Sequence, residues 1–157
     1  MIPTKQQPIK LADGGKRSVR TQFGTLCYRH HQGRVQILLI SSRGVGRWVI
    51  PKGWPMDEKT PAEAAAVEAF EEAGVKGKVY EACLGIYSTM REAAGNGDEM
   101  ITCIVAIFPL KVKQILKEYP EAGERKRQWF SPKKASTLID EPELAQIIRN
   151  FDPKSLI

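Results

Sequence analysis

Apolar and β-branched residues gather early in the chain into two runs, 21–29 (TQFGTLCYR) and 34–41 (RVQILLIS). The short polar stretch at 30–33 between them predicts a hairpin. His30 and His31 fall at that turn, which gives them no expected catalytic role. After a loop at 42–46 (SRGVG), residues 47–50 (RWVI) read as a short strand stopped by Pro51. Further runs at 78–87 and 100–112 predict two more strands, with the polar stretch 91–99 (REAAGNGDE) as a mobile loop between them. Residues 113–124 predict a short helix ending at Pro120, and 127–130 (RQWF) a short strand. Ser131 and Pro132 open a helix to about Leu138, and a last helix covers 142–151. Mixed strands and helices without a repeat or linker predict one α+β domain, 20–157, behind a flexible basic arm, 1–19.

The clearest element is a helix between these runs. Thr60 is a good N-cap, Pro61 suits the first helical position, and Glu63 stands three residues past the cap. The helix should run to Ala73 and stop at Gly74. At about 100° per residue, Ala62, Ala66, Ala69, Phe70 and Ala73 form a core stripe. Glu68, Glu71 and Glu72 share the far side, where Ala64 and Ala65 leave open space. Carboxylates at i, i+3 and i+4 repel one another, and these lie at the negative end of the helix dipole. On its own the cluster reads as a solvated acidic face; its alternative is a site for a hard divalent cation.

Composition sharpens that choice. The 157 residues hold 24 Lys and Arg against 18 Asp and Glu, a formal charge of +6. Residues 1–50 carry nine basic groups against one acid; 51–100 carry five against ten; the last 57 carry ten against seven. A basic chain with an acidic middle predicts a site that handles anions and also gathers carboxylates, unlike a uniform nucleic-acid stripe. No apolar run reaches the roughly 18–20 residues of a membrane span, and the first residues lack the apolar stretch of a signal peptide. Cys27, Cys83 and Cys103 form no ligand motif and read as reduced, buried thiols. These features predict a soluble, cytoplasmic protein.

Immediately before the helix stands Trp48-Val49-Ile50-Pro51-Lys52-Gly53. Together the two segments resemble the Nudix hydrolase signature, with Gly53, Glu68, Glu71, Glu72, Gly74 and Val75 in register over 23 residues. Lys59 and Val67 stand where the family has a glutamate and an arginine that pair to brace the loop against the helix. Both partners are changed, so neither is left as an unpaired buried charge. Beyond this box, LCYR (26–29), ISSR (40–43), RWVIPKG (47–53), EEAGVKGKV (71–79) and ERKRQWF (124–130) resemble diphosphoinositol polyphosphate phosphohydrolases; diadenosine polyphosphate hydrolases share the WxxPKG entry.

The resemblance implies an α/β/α sandwich with a mixed sheet and a central carboxylate-bearing helix. It implies Mg²⁺, with Mn²⁺ as a substitute, held by Glu68, Glu71, Glu72 and the Gly53 carbonyl, and hydrolysis of a phosphoanhydride in a small nucleoside or inositol polyphosphate. Arg20, Ser41, Arg43 and Arg125 match phosphate-contacting positions, and Lys52 adds a point charge; another basic position of the family falls on Gln22. The base is Glu71, or an acid from the 91–99 loop: Glu92, Asp98 or Glu99. Trp48 and Trp129 are expected to pack in the core. Two alternatives stand beside the hydrolase: a catalytically silent binding module, favoured by Lys59 and Val67, and an RNA 5′-end pyrophosphohydrolase, for which no aromatic-interleaved motif exists. The sequence does not reveal the oligomeric state.

Overall fold

The computed structural model describes residues 19–93 and 96–156, with the side chains of 92–99 outside the description. The expected arm therefore falls outside it except for Val19, as do the side chains of Glu92, Asp98 and Glu99. In chain order the elements are β1 (Arg20–His31), β2 (Arg34–Ser41), β3 (Trp48–Val49), β4 (Lys52–Gly53), α1 (Pro61–Ala73), β5 (Val75–Val79), β6 (Gly85–Ala93), β7 (Asn96–Ile115), β8 (Arg127–Phe130), α2 (Pro132–Leu138) and α3 (Pro142–Arg149). The strands form one mixed sheet in which β1 runs parallel to β7 and antiparallel to β2 and β4. The first hairpin turns at Gln32 and Gly33, both at positive φ.

Helices cover both faces of the sheet. On one side α2 and α3 bring Ala135, Leu144 and Ile148 onto Leu26, Ile37, Tyr87, Val105 and Ile107. On the other, α1 lays Ala62, Ala64, Ala65, Ala69 and Ala73 against β1, β2 and β7, with Phe23 and Phe108 meeting edge-to-face at 6.4 Å. Alanine's small side chain lets α1 lie close to the sheet, so this end of the core rests on close approach more than on bulk. Trp48 meets Phe130 edge-to-face at 5.2 Å, and Trp129 lies under the Arg29 guanidinium at 4.2 Å. Both indoles belong to the packing.

Several expectations are corrected. The run 78–87 is two strands, because Val79 leaves β7 opposite Leu110 and the chain rejoins it only at Gly85, opposite Ile107. Residues 91–93 extend β6 and 96–99 extend β7, and the two backbones pair as far as Ala93 and Asn96. Residues 113–124 form no helix: β7 continues to Ile115, and turns follow. On α1, Ala64 and Ala65 are buried under β1, whereas Ala66 and Phe70 are half-buried. The core-facing arc is therefore rotated from the expected one. Cys83 is exposed, unlike Cys27 and Cys103.

Candidate active site

The start of α1 is closed by its own residues. Thr60 Oγ1 accepts from the Glu63 N–H (3.2 Å), and Glu63 Oε1 accepts from the Thr60 N–H (2.8 Å). Its end is closed by Gly74, in the left-handed region at φ 65°, whose N–H donates to the Phe70 carbonyl (3.0 Å). Between these caps the helix carries Glu68, Glu71 and Glu72.

Gly53 lies directly on Glu68, and a Cβ at position 53 would overlap the Glu68 carboxyl. Only glycine allows this approach. The Lys52 N–H, one residue earlier, donates to Glu72 Oε1 (3.3 Å). Burial, the nearby Glu72 and Glu71 carboxylates, and a hydrogen bond to Glu72 push the Glu68 carboxyl up to about 8. Burial also raises Glu72, against the opposing pull of Arg125 and Lys52. Two half-buried carboxyls that resist losing both protons, against a glycine backbone, form a donor set for a hard cation. Among the described residues, no three carboxylate, imidazole or thiol groups stand close enough together to form a complete metal site. Glu68, Glu72 and Gly53 thus form a pair-and-backbone cradle that fits such an ion, and Glu71 adds its charge beside it.

The expected phosphate-binding residues fall into two groups. At one edge, Ser41 ends β2 and is tied to the 125–126 segment: its Oγ accepts from the Lys126 N–H (2.8 Å), and its carbonyl accepts from Arg125 Nη1 (3.1 Å). Arg125 Nε donates to Glu121 (3.1 Å); Arg43 donates to Glu124 (3.0 Å) and lies 3.9 Å from Glu121. Arg43 is 61% exposed, so its ion pairs add little stability, whereas the Arg125 side chain is 11% exposed and held on two sides. At the other edge, burial lowers the Lys52 ammonium, countered by Glu72 and reinforced by Arg91 and Arg47. Arg20 begins β1 opposite Cys103. Glu72 stands electrostatically between the groups, since both Arg125 and Lys52 act on it.

Sequence reasoning missed three participants. Glu121 is a fourth carboxylate near Glu68 and Glu72, carried by a turn far along the chain. Trp54, next to Gly53, is 39% exposed and faces the Arg91 guanidinium at 5.0 Å. Arg127 binds the end of α1. A signal for Arg127 existed: α1 has no basic residue in its last turn, so a cation had to come from elsewhere.

Residues 20–151 match the NUDIX domain family. Nudix hydrolase 12, mitochondrial, of Arabidopsis thaliana is 38% identical over 119 residues, covering 75% of this chain and 59% of the relative. Diphosphoinositol polyphosphate phosphohydrolase 2 of Rattus norvegicus is 32% identical over 137 residues, covering 86% of this chain and 71% of the relative. The chain spans little more than half of the two Arabidopsis relatives it matches, 59% and 54%. A solved Ap4A hydrolase of C. elegans shares the fold with TM-score 0.58 at 20% identity, covering 84% of this chain and 95% of that one. With the family match spanning nearly the whole described chain, and the glycine-on-glutamate contact at its centre, the chain belongs to the Nudix family.

Proposed function

We propose that this chain is a divalent-cation-dependent pyrophosphohydrolase that cleaves a phosphoanhydride bond in a small nucleoside or inositol polyphosphate. The observation that carries the reading is the contact of Gly53 with Glu68, on the helix turn that also carries Glu71 and Glu72. Glu68, Glu72 and the Gly53 carbonyl would hold the cation, with Glu71 as the next carboxylate beside them. When bound, Mg²⁺ or Mn²⁺ supplies charge neutralisation on the diphosphate and lowers the pKa of a water. The chain's own residues do the rest. Arg43 and Arg125 present planar guanidinium forks to phosphate oxygens, and Lys52, Arg20 and Ser41 complete the grip. One water oxygen adds to a phosphorus, the bridging oxygen leaves with the other phosphate, and Glu71 takes the water's proton. Glu92, Asp98 and Glu99 are the other candidates for that base.

The relatives support the substrate class: one is named for diphosphoinositol polyphosphates, and a fold neighbour for Ap4A. A cytoplasmic location is proposed from three free cysteines, and no helix among the described residues is long and apolar enough to cross a membrane. The two Arabidopsis relatives are named mitochondrial. The decisive test is Glu72→Gln on diadenosine and diphosphoinositol polyphosphates with saturating Mg²⁺. We expect kcat to fall about a hundredfold, roughly 3 kcal/mol of barrier. Full turnover by the variant would remove the metal-site assignment. A second reading, a silent binding module, is favoured by Lys59 and Val67 and by the incomplete three-carboxylate set. Ligand binding without phosphate release from any polyphosphate, with or without Mg²⁺, would establish it.

A further inference from the structure

The last turn of α1 bears Glu71 and Glu72, and its carbonyls have no following turn to accept from. Residues 116–127 take them up. The Glu121 N–H donates to the Glu71 carbonyl (3.0 Å), and the Leu116 N–H donates to the Gly74 carbonyl (2.8 Å). Arg127 Nη1 donates to the Ala73 carbonyl (2.7 Å), while its Nη2 donates to the Leu116 carbonyl (2.6 Å). The same guanidinium lies 4.8 Å over the Tyr119 ring. A side chain on Gly74 would strike both Tyr119 and Arg127, so the seam is closely packed. Arg127 is itself fixed, because β8 pairs it with Ile40 of β2.

We infer that Arg127 is a positioning residue for the cation site: its guanidinium clamps the carboxylate-bearing end of α1 to the 116–127 segment. This rests on the reading of Glu68, Glu71 and Glu72 as cation ligands. The physical need is plain. Crowded carboxylates at a helix C-terminus meet the negative end of the dipole, and α1 carries no cation of its own in that turn. A guanidinium supplies both what is missing, a positive charge and a two-pronged donor joining two backbones. An ammonium supplies only the charge.

The test titrates the full chain with Mn²⁺ and follows free Mn²⁺ by electron paramagnetic resonance, well below the melting temperature. Arg127→Gln should weaken Mn²⁺ binding about tenfold, the scale of lost outer-shell support at metal sites. Arg127→Lys should weaken it about threefold, keeping charge without the fork. Thr60→Ala loosens the opposite end of the helix and should leave Mn²⁺ affinity within about twofold, which separates positioning from general destabilisation. Wild-type affinity in Arg127→Gln, or an equal loss in Thr60→Ala, would overturn the inference. If Arg127→Gln does not fold, Arg127→Lys decides: affinity equal to wild type overturns it. Glu72→Gln separates the two failures: if it binds Mn²⁺ as wild type does, the ligand assignment falls, whatever Arg127 does.

Discussion

The two ends of α1 are closed by different means. At the N-terminus, Thr60 and Glu63 satisfy each other's N–H groups and Pro61 has none to satisfy, all within four residues of sequence, while Thr60 Oγ1 also donates to Glu81 (3.4 Å). At the C-terminus, only Gly74 is local; the remaining bonds come from Leu116, Glu121 and Arg127. The carboxylates lie toward this second end. A capping box stabilises a helix wherever that helix sits. A docked segment also fixes the helix relative to β2, β8 and the arginines at 43 and 125, which is what a site assembled from several elements requires. The comparison teaches that stability is handled locally at one end, and geometry through the fold at the other.

Three substitutions press on this contrast, beginning with the largest effect. Gly53→Ala places a methyl group on the Glu68 carboxyl and should cut kcat about a hundredfold or more while the protein still folds. Steady-state kinetics beside circular dichroism would check it; near-normal kcat would mean the glycine contact is dispensable. Thr60→Ala removes the capping hydroxyl and should cost about 1 kcal/mol, a fall of about 3 °C in Tm by calorimetry, with kcat retained. A large loss of kcat would show that the two ends are not separable.

The third test concerns the metal-free protein in EDTA. Folding raises the Glu68 carboxyl to about 8 from its ordinary 4.5, chiefly by burial. An acid raised on folding favours the folded state while protonated and loses that contribution as pH climbs toward and through 8. Glu68→Gln cannot ionise. Its Tm relative to wild type should therefore rise between pH 5 and pH 8.5. A constant difference across that range, read by thermal melts in EDTA, would show that Glu68 ionises freely in the folded chain.

The clamp residues differ in how readable they were. Arg125 was singled out as a phosphate ligand, and it is held between Ser41 and Glu121. Arg127, two residues later on β8, reads from the sequence as part of a solvated basic face, whereas its hydrogen bond to the Ala73 carbonyl (2.7 Å) is shorter than either bond of Arg125. Glu121 drew no notice, because a single carboxylate in a turn carries no periodicity. The helix expected at 113–124 would aim Glu121 differently from the turn that carries it here. The orientation of α1 was also misjudged. Alanines on every side of a helix leave its hydrophobic stripe ill-defined, and only the β1 surface decides that Ala64 and Ala65 face inward.

By itself, the sequence determined the bounds of α1, its capping box, its left-handed stop at Gly74 and the i, i+3, i+4 spacing of its glutamates. Each depends on backbone geometry within a few residues, and that geometry is the same in any fold. It also placed Gly53 in register with the helix, through the family resemblance. The tertiary structure alone decided which carboxylates meet. It brought Gly53 onto Glu68, Glu121 onto Arg43 and Arg125, and Arg127 onto Ala73 and Leu116. Of these partners, Gly53 and Glu68 lie 15 positions apart, Ala73 and Arg127 54, and Arg43 and Glu121 78, and no local periodicity encodes a contact that exists only once the sheet has formed.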